Sequence, residues 1–189
     1  MVQEKYRVLP GPEGFVAKVA AMMGVVLPDE GDALVEGEIV PQSKALDVIA
    51  DKLANAKNAA ICPGPLLMWN WSEDVTPKAA AVKELAQACG AKIIPMLDYR
   101  QKGINPAAEI SPNHPNVTIL HNNFDVCVFV GIHSHHANMA LRLIRGGTSC
   151  YTIALSDYAA CEEAVASLRD VDAAKVKAVT EKVKSKKAK

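Results

Sequence analysis

Residues Phe124 to Gly146 read FDVCVFVGIHSHHANMALRLIRG, and a change of period inside this stretch decides the fold. Val126 to Gly131 is an unbroken run of β-branched and apolar residues, the pattern of a strand buried on both faces and therefore of a parallel sheet. The period then becomes helical: Ala137, Ala140, Leu141 and Ile144 stand at i, i+3, i+4 and i+7, with Asn138, Arg142 and Arg145 turned away and Gly146 as the stop. Strand, glycine turn and helix form one βα unit, and open α/β sheets carry their sites at the carboxyl end of such units.

The same alternation extends on both sides. Upstream, Leu46, Ile49, Ala50 and Leu53 mark a helix that begins at Pro41, and Asn58 to Cys62 reads as a short apolar strand broken by Pro63-Gly64-Pro65. Thr76 then caps a helix with Pro77 in its first turn, a buried stripe of Val82, Leu85, Ala86 and Cys89, and Gly90 as terminator. A strand follows from Lys92 to Leu97. Downstream, Cys150 to Leu155 reads as a strand, Ala159 to Leu168 as helical, and Val176, Val179 and Val183 as the buried side of a closing helix. The fold class expected is α/β, a doubly wound, mainly parallel, Rossmann-like sheet.

Two segments fit the alternation less well. Residues 1–40 hold a short amphipathic helix (Phe15, Val16, Val19, Met23) and an acidic, proline-containing connector, read together as an N-terminal arm. From Asp98 to Asn123 no periodicity holds, though Val117 to Leu120 suits a short strand. The division expected is an arm over 1–40, the α/β domain over 41–170, and a C-terminal helix with a frayed lysine-rich tail over 171–189.

Composition excludes several classes. Half of the 189 residues are hydrophobic, and 21 basic side chains balance 21 acidic ones, so no field suited to nucleic acid exists. No apolar run approaches the ~20 residues of a membrane span, and the N-terminus lacks a signal-peptide core, which together predict a cytoplasmic protein. Cys62, Cys89, Cys127, Cys150 and Cys161 are odd in number and without CxxC spacing, and read as small buried hydrophobes in a reducing compartment.

Neither GxGxxG nor GxxxxGK[ST] is present, nor GxSxG or HExxH. The Gly64 and Gly131 turns can still present helix-terminal amides to a phosphate. His133, His135 and His136 crown the buried strand, and two of them facing one ion would need a third ligand such as Asp98 or Asp157. The alternative, which we favour, is that His135 and His136 pack on the first helical turn, because no second motif completes a site. Leu66 to Trp71 concentrates both tryptophans into six residues, which is either local core, a partner contact or a ligand wall.

The order of elements from Pro41 onward, with the Gly131 turn, Asn138 and Leu141 of GIHSHHANMALRLIR, resembles the epsilon subunit family of the archaeal-type carbon monoxide dehydrogenase/acetyl-CoA decarbonylase-synthase complex, over roughly 41–170. The resemblance implies a doubly wound fold of the kind called the DHS-like NAD/FAD-binding domain. It also implies an accessory subunit that docks on the large nickel-iron-sulfur subunit, carries no metal ligand or catalytic residue of its own, and holds FAD as a candidate cofactor that helps pass electrons. Family members favour aromatic residues where this chain has His135 and His136. The assigned cofactor rim is Gly64, Gly131, His133, His135, His136, Asn138 and Ser156, and the assigned partner surface is Trp69 and Trp71 with the 98–123 segment. The alternatives are an FAD- or NAD-binding subunit of another oxidoreductase complex and a metalloenzyme built on the three histidines.

Overall fold

The computed structural model describes residues 27–69, 72–96 and 105–188. In chain order the elements are β1 (Asp32–Val35), β2 (Glu38–Pro41), α1 (Gln42–Ala54), β3 (Ala59–Pro63), α2 (Pro65–Met68), α3 (Val75–Cys89), β4 (Lys92–Ile93), α4 (Pro115–Asn122), β5 (Val126–Val130), α5 (Ser134–Gly147), β6 (Tyr151–Leu155), β7 (Ala166–Leu168) and α6 (Ala173–Lys187). The expected doubly wound α/β architecture is present. Seven strands form one sheet in the order β2-β1-β7-β6-β5-β3-β4. β4, β3, β5, β6 and β7 are parallel, and a hairpin of β1 and β2 closes the β7 edge antiparallel. At the far edge a parallel bridge joins Met96 to Ile110, and the Ile110 amide donates to the Pro95 carbonyl at 3.0 Å. With Ile110 counted as a rudimentary strand, the parallel part runs 3-2-1-4-5-6, the order of Rossmann sheets.

The unbroken apolar runs follow from burial on both faces. Val126, Val128 and Val130 of β5 pack with Ala59, Ile61, Ile153 and Leu155 against α1, α3 and α6. Cys127 and Phe129 point the other way and join Ala60, Cys62 and Ala154 beneath α5. All four residues of the α5 stripe, Ala137, Ala140, Leu141 and Ile144, are buried, as are Val176, Val179 and Val183 of α6. The five cysteines are free and buried. Burial pushes the Cys62 thiol well above its ordinary value, and at Cys127 the neighbouring Cys150 thiol and burial act together in the same direction.

Four local expectations are corrected. Residues 32–41, read as connector, are the edge hairpin, because Gly31 and the Glu36-Gly37 turn supply the positive φ values its turns need. Val117–Leu120 is helix α4, since Pro115 starts a helical turn and Asn123 ends it in the left-handed region at φ 54°. Ala159–Leu168 is a loop ending in strand β7, where Ser167 and Ala166 pair with Ala154 and Ile153 of β6. The lysine tail is helical to Lys187, because it lies against the acidic sides of α1 and α3: Lys182 reaches Asp47 at 2.6 Å, Lys184 reaches Glu84 at 2.7 Å, and Lys186 reaches Asp51 at 3.2 Å. These exposed pairs hold the Asp47 and Glu84 carboxyls below their ordinary range, through the hydrogen bonds from Lys182 and Lys184.

Candidate functional site at the carboxyl end of the sheet

In a sheet of this order the crevice lies where the first and fourth parallel strands diverge, here beyond Pro63 of β3 and Val130 of β5. Gly64 and Gly131 meet at that point. The Gly64 amide donates to the Val130 carbonyl and the Leu66 amide to the Gly131 carbonyl, both at 2.9 Å. The Leu67 and Met68 amides both donate to the Gly64 carbonyl at 3.0 Å. A Cβ at Gly64 would sit 2.2 Å from Ile132 Cγ1, and one at Gly131, where φ is +66°, would sit 2.5 Å from Leu67 Cβ. The close approach these glycines permit is therefore of one turn to the other. The Gly64, Leu66, Leu67 and Met68 amides are spent on carbonyls of these two turns, which leaves fewer donors at this point for a flavin or nicotinamide pyrophosphate.

The other residues assigned to the rim stand on α5 and just after β6. His133 is the N-cap of α5, with His135 and His136 in the first turn. His135 and His136 have ring centroids 3.9 Å apart, and His133 lies 6.1 and 6.4 Å from them. His133 and His135 are exposed and His136 is partly buried. Among the described residues no group of three His, Cys, Asp or Glu side chains is placed to hold a metal ion. Asp98 lies outside the described residues, and Asp157 pairs with Lys78.

Asn138 turns to the other side of α5, where its Oδ1 accepts from the Glu163 amide at 3.4 Å. There Arg142 and Arg145 bind the Glu163 carboxylate at 2.5 and 3.3 Å. This face of α5 ties down the loop between β6 and β7. Ser156 is buried at the end of β6. Its hydroxyl meets no partner in full hydrogen-bond geometry but lies against the Cys161 thiol, which burial pushes up to about 12 against the opposing pull of that hydroxyl. Trp69, assigned above to a partner surface, is 57% exposed beside Met68 at the end of α2, while Trp71 lies outside the described residues.

The open space at this end of the sheet lies beside the junction. A cleft of about 700 Å³ is bounded by Leu66 of α2, the first turn of α3, the Asp157–Tyr158 loop after β6, and the Asp170–Ala174 turn into α6. That volume is within the usual range for small-molecule sites. At its wall Lys78 and Asp157 form an ion pair, with Lys78 only 8% exposed. The N-termini of α3 and α6 both open onto the cleft, and Asp172 caps α6 by accepting from the Lys175 amide at 2.7 Å. None of the seven assigned rim residues lines this cleft. One signal in the chain points to it: Lys78 lies four residues before Val82, so it continues the buried stripe of α3, where a lysine needs a charged partner.

Beyond fold and geometry, a family model described as CO dehydrogenase beta subunit/acetyl-CoA synthase epsilon subunit matches residues 25–182. The chain belongs to this family. The match takes in the edge hairpin and most of α6, which lie outside the 41–170 segment that carries the resemblance. No curated protein matches the chain. Membership in the CO dehydrogenase/acetyl-CoA synthase epsilon family makes it a subunit of that kind of complex. Among its described residues no helix is long and apolar enough to cross a membrane.

Proposed function

We propose that this chain is a non-catalytic accessory subunit that docks on the large nickel-iron-sulfur subunit of a CO dehydrogenase/acetyl-CoA synthase complex. The observation that carries the reading is the solvent-facing Met68–Trp69 pair, 45% and 57% exposed, on a turn hydrogen-bonded into the Gly64–Gly131 junction. Tryptophan held at low entropic cost on a fixed turn is the kind of anchor that dominates interface energies. Co-purification of the two subunits tests it. Trp69→Ala, alone and with Trp71→Ala, is expected to weaken association at least tenfold while the fold is retained by circular dichroism, and unchanged association removes this surface from the docking role.

A second reading, an FAD- or NAD-binding subunit that assists electron transfer, is favoured by the cleft beside Lys78 rather than by the residues first assigned to a cofactor. Leu66, Val75, Pro77 and Val171 offer apolar walls, and Lys78 with Asp157 offers a donor and an acceptor side by side. Absorbance of the purified protein and titration with FAD and NAD decide it: a colourless protein that binds neither nucleotide ends this reading.

A further inference from the structure

Helices α4 and α5 pack side by side on the same face of the sheet, and their meeting point can be placed. A Cβ at Gly147, the last residue of α5, would lie 3.4 Å from the Asn116 side chain in the first turn of α4. Residues four apart share a helix face, so Leu143 and Met139 continue the Gly147 line along α5, and Leu120 continues the Asn116 line along α4. Both lines border the seam between the helices, and Val117 stands beside it. These four side chains are open to solvent: Val117 49%, Leu120 55%, Met139 58% and Leu143 44%. The second apolar stripe on each helix therefore has no counterpart among the described residues.

No charged residue stands on either of these lines. α4, PNVTILHN, holds no Lys, Arg, Asp or Glu, the only such residues in α5, Arg142 and Arg145, are engaged by Glu163, and Lys92 borders only the last residue of α4, donating to Asn122 Oδ1 at 3.3 Å. Apolar lines with exposed Met and Leu and no charge of their own have the composition of an interface centre, where charged residues are depleted. Its size limits what it holds alone. Helices of 8 and 14 residues are about 12 and 21 Å long, and at an interaxial spacing of about 10 Å they offer a footprint of roughly 400 Å². That is about half of the ~800 Å² per partner in a stable independent interface. A self-standing dimer of this chain is thus undersupplied, whereas a second contact within a complex already anchored elsewhere is not.

We infer that the α4–α5 seam receives an uncharged apolar helix of the partner subunit, laid along the groove between the Leu120 and Leu143 lines. The inference rests on the docking reading above and adds a second, separate surface to it. Helix-in-groove recognition of this kind is read through anchors at i, i+3 or i+4 and i+7, and Val117/Leu120 and Met139/Leu143 supply the matching walls. A charge placed at the seam must be desolvated on association, which is costly without a partner of opposite sign.

The test uses the full chain and the large subunit of the same complex. Leu120→Glu combined with Met139→Glu is expected to lower the association constant at least tenfold. Leu120→Gln with Met139→Gln, which keeps the surface neutral, is expected to lower it less. Both pairs sit at exposed positions, and equal circular dichroism and thermal midpoints establish that the fold is intact. If the glutamate pair leaves association unchanged while Trp69→Ala weakens it, the seam is overturned and the docking reading stands. If neither variant changes association with a bound partner, both surfaces are wrong. If sedimentation shows the isolated chain to be a dimer that the glutamate pair converts to monomer, the occupant is a second copy and the inference is overturned.

Discussion

Two neighbouring places at the carboxyl end of the sheet differ in what fills them. At the junction beyond β3 and β5, Gly64 and Gly131 let two turns interlock, and the Gly64 and Leu66 amides are consumed by backbone carbonyls. In the cleft beside it, bounded by α3, α6 and the loop after β6, about 700 Å³ stays open around a partly buried Lys78–Asp157 pair. The difference teaches that a glycine in a βα turn marks close approach without saying what approaches. In dinucleotide folds the visitor is a pyrophosphate, and here the atoms that approach belong to the chain's own Leu67, Gly131 and Ile132. A lysine on the buried side of a helix is in this molecule the better marker of open, polar space.

Breaking the closed side has the largest expected effect. Gly131→Ala adds a Cβ at 2.5 Å from Leu67 Cβ and 2.8 Å from the Leu67 amide nitrogen, at a φ of +66°. Strain at a left-handed position and overpacking each cost of the order of 1–3 kcal/mol, so urea unfolding is expected to show a loss of about 2–4 kcal/mol. A loss under about 1 kcal/mol would mean that the turns are free to move apart and that the junction is an opening after all.

The open side responds differently. Lys78→Met removes one member of a mostly buried pair and leaves the Asp157 carboxylate without its cation, an expected loss of about 1–3 kcal/mol, less than for a fully buried pair because Asp157 is 22% exposed. Lys78→Met with Asp157→Asn should recover most of it. If the double variant is no more stable than the single one, the ion pair is not what holds this wall of the cleft.

The smallest effect concerns the core beneath α5. Burial raises the folded-state pKa of Cys62, and the neighbouring Cys150 thiol together with burial raises that of Cys127, so the folded chain keeps protons that the unfolded chain releases above about 8.5. The stability these thiols contribute is complete below that pH and is lost as pH climbs through the raised folded values. Thermal midpoints are therefore expected to fall steadily between pH 8 and pH 10, and Cys127→Ala should flatten the slope while lowering the whole curve. A slope unaffected by that substitution would assign the pH dependence to other groups.

Much of the fold is legible before any coordinates. β5 and α5 appear where the period changes, and every residue of the Ala137–Ile144 stripe is buried, because a parallel sheet covered on both faces demands unbroken apolar strands and one-sided helices. The failures have a common cause. Val117-Thr118-Ile119-Leu120 carries strand-like side chains, yet Pro115 and the left-handed Asn123 hold it in a helix. Ala166–Leu168 looks helical in sequence and becomes a strand because β6 offers it an edge. The lysines of α6 look like a solvated tail until the acidic residues of α1 and α3, distant in sequence, lie opposite them.

By itself the sequence determined the α/β class, the strand and helix of the opening stretch, and a resemblance that the family match bears out. Those properties are periodic or local, and one-dimensional spacing carries them. Only the tertiary structure decided that the Gly64 and Gly131 turns meet each other, that Asn138 serves the Glu163 loop, and that Lys78 and Asp157 border an open cleft. Each of these depends on which segments the sheet order brings side by side. A residue's own neighbours in the chain do not reveal that order.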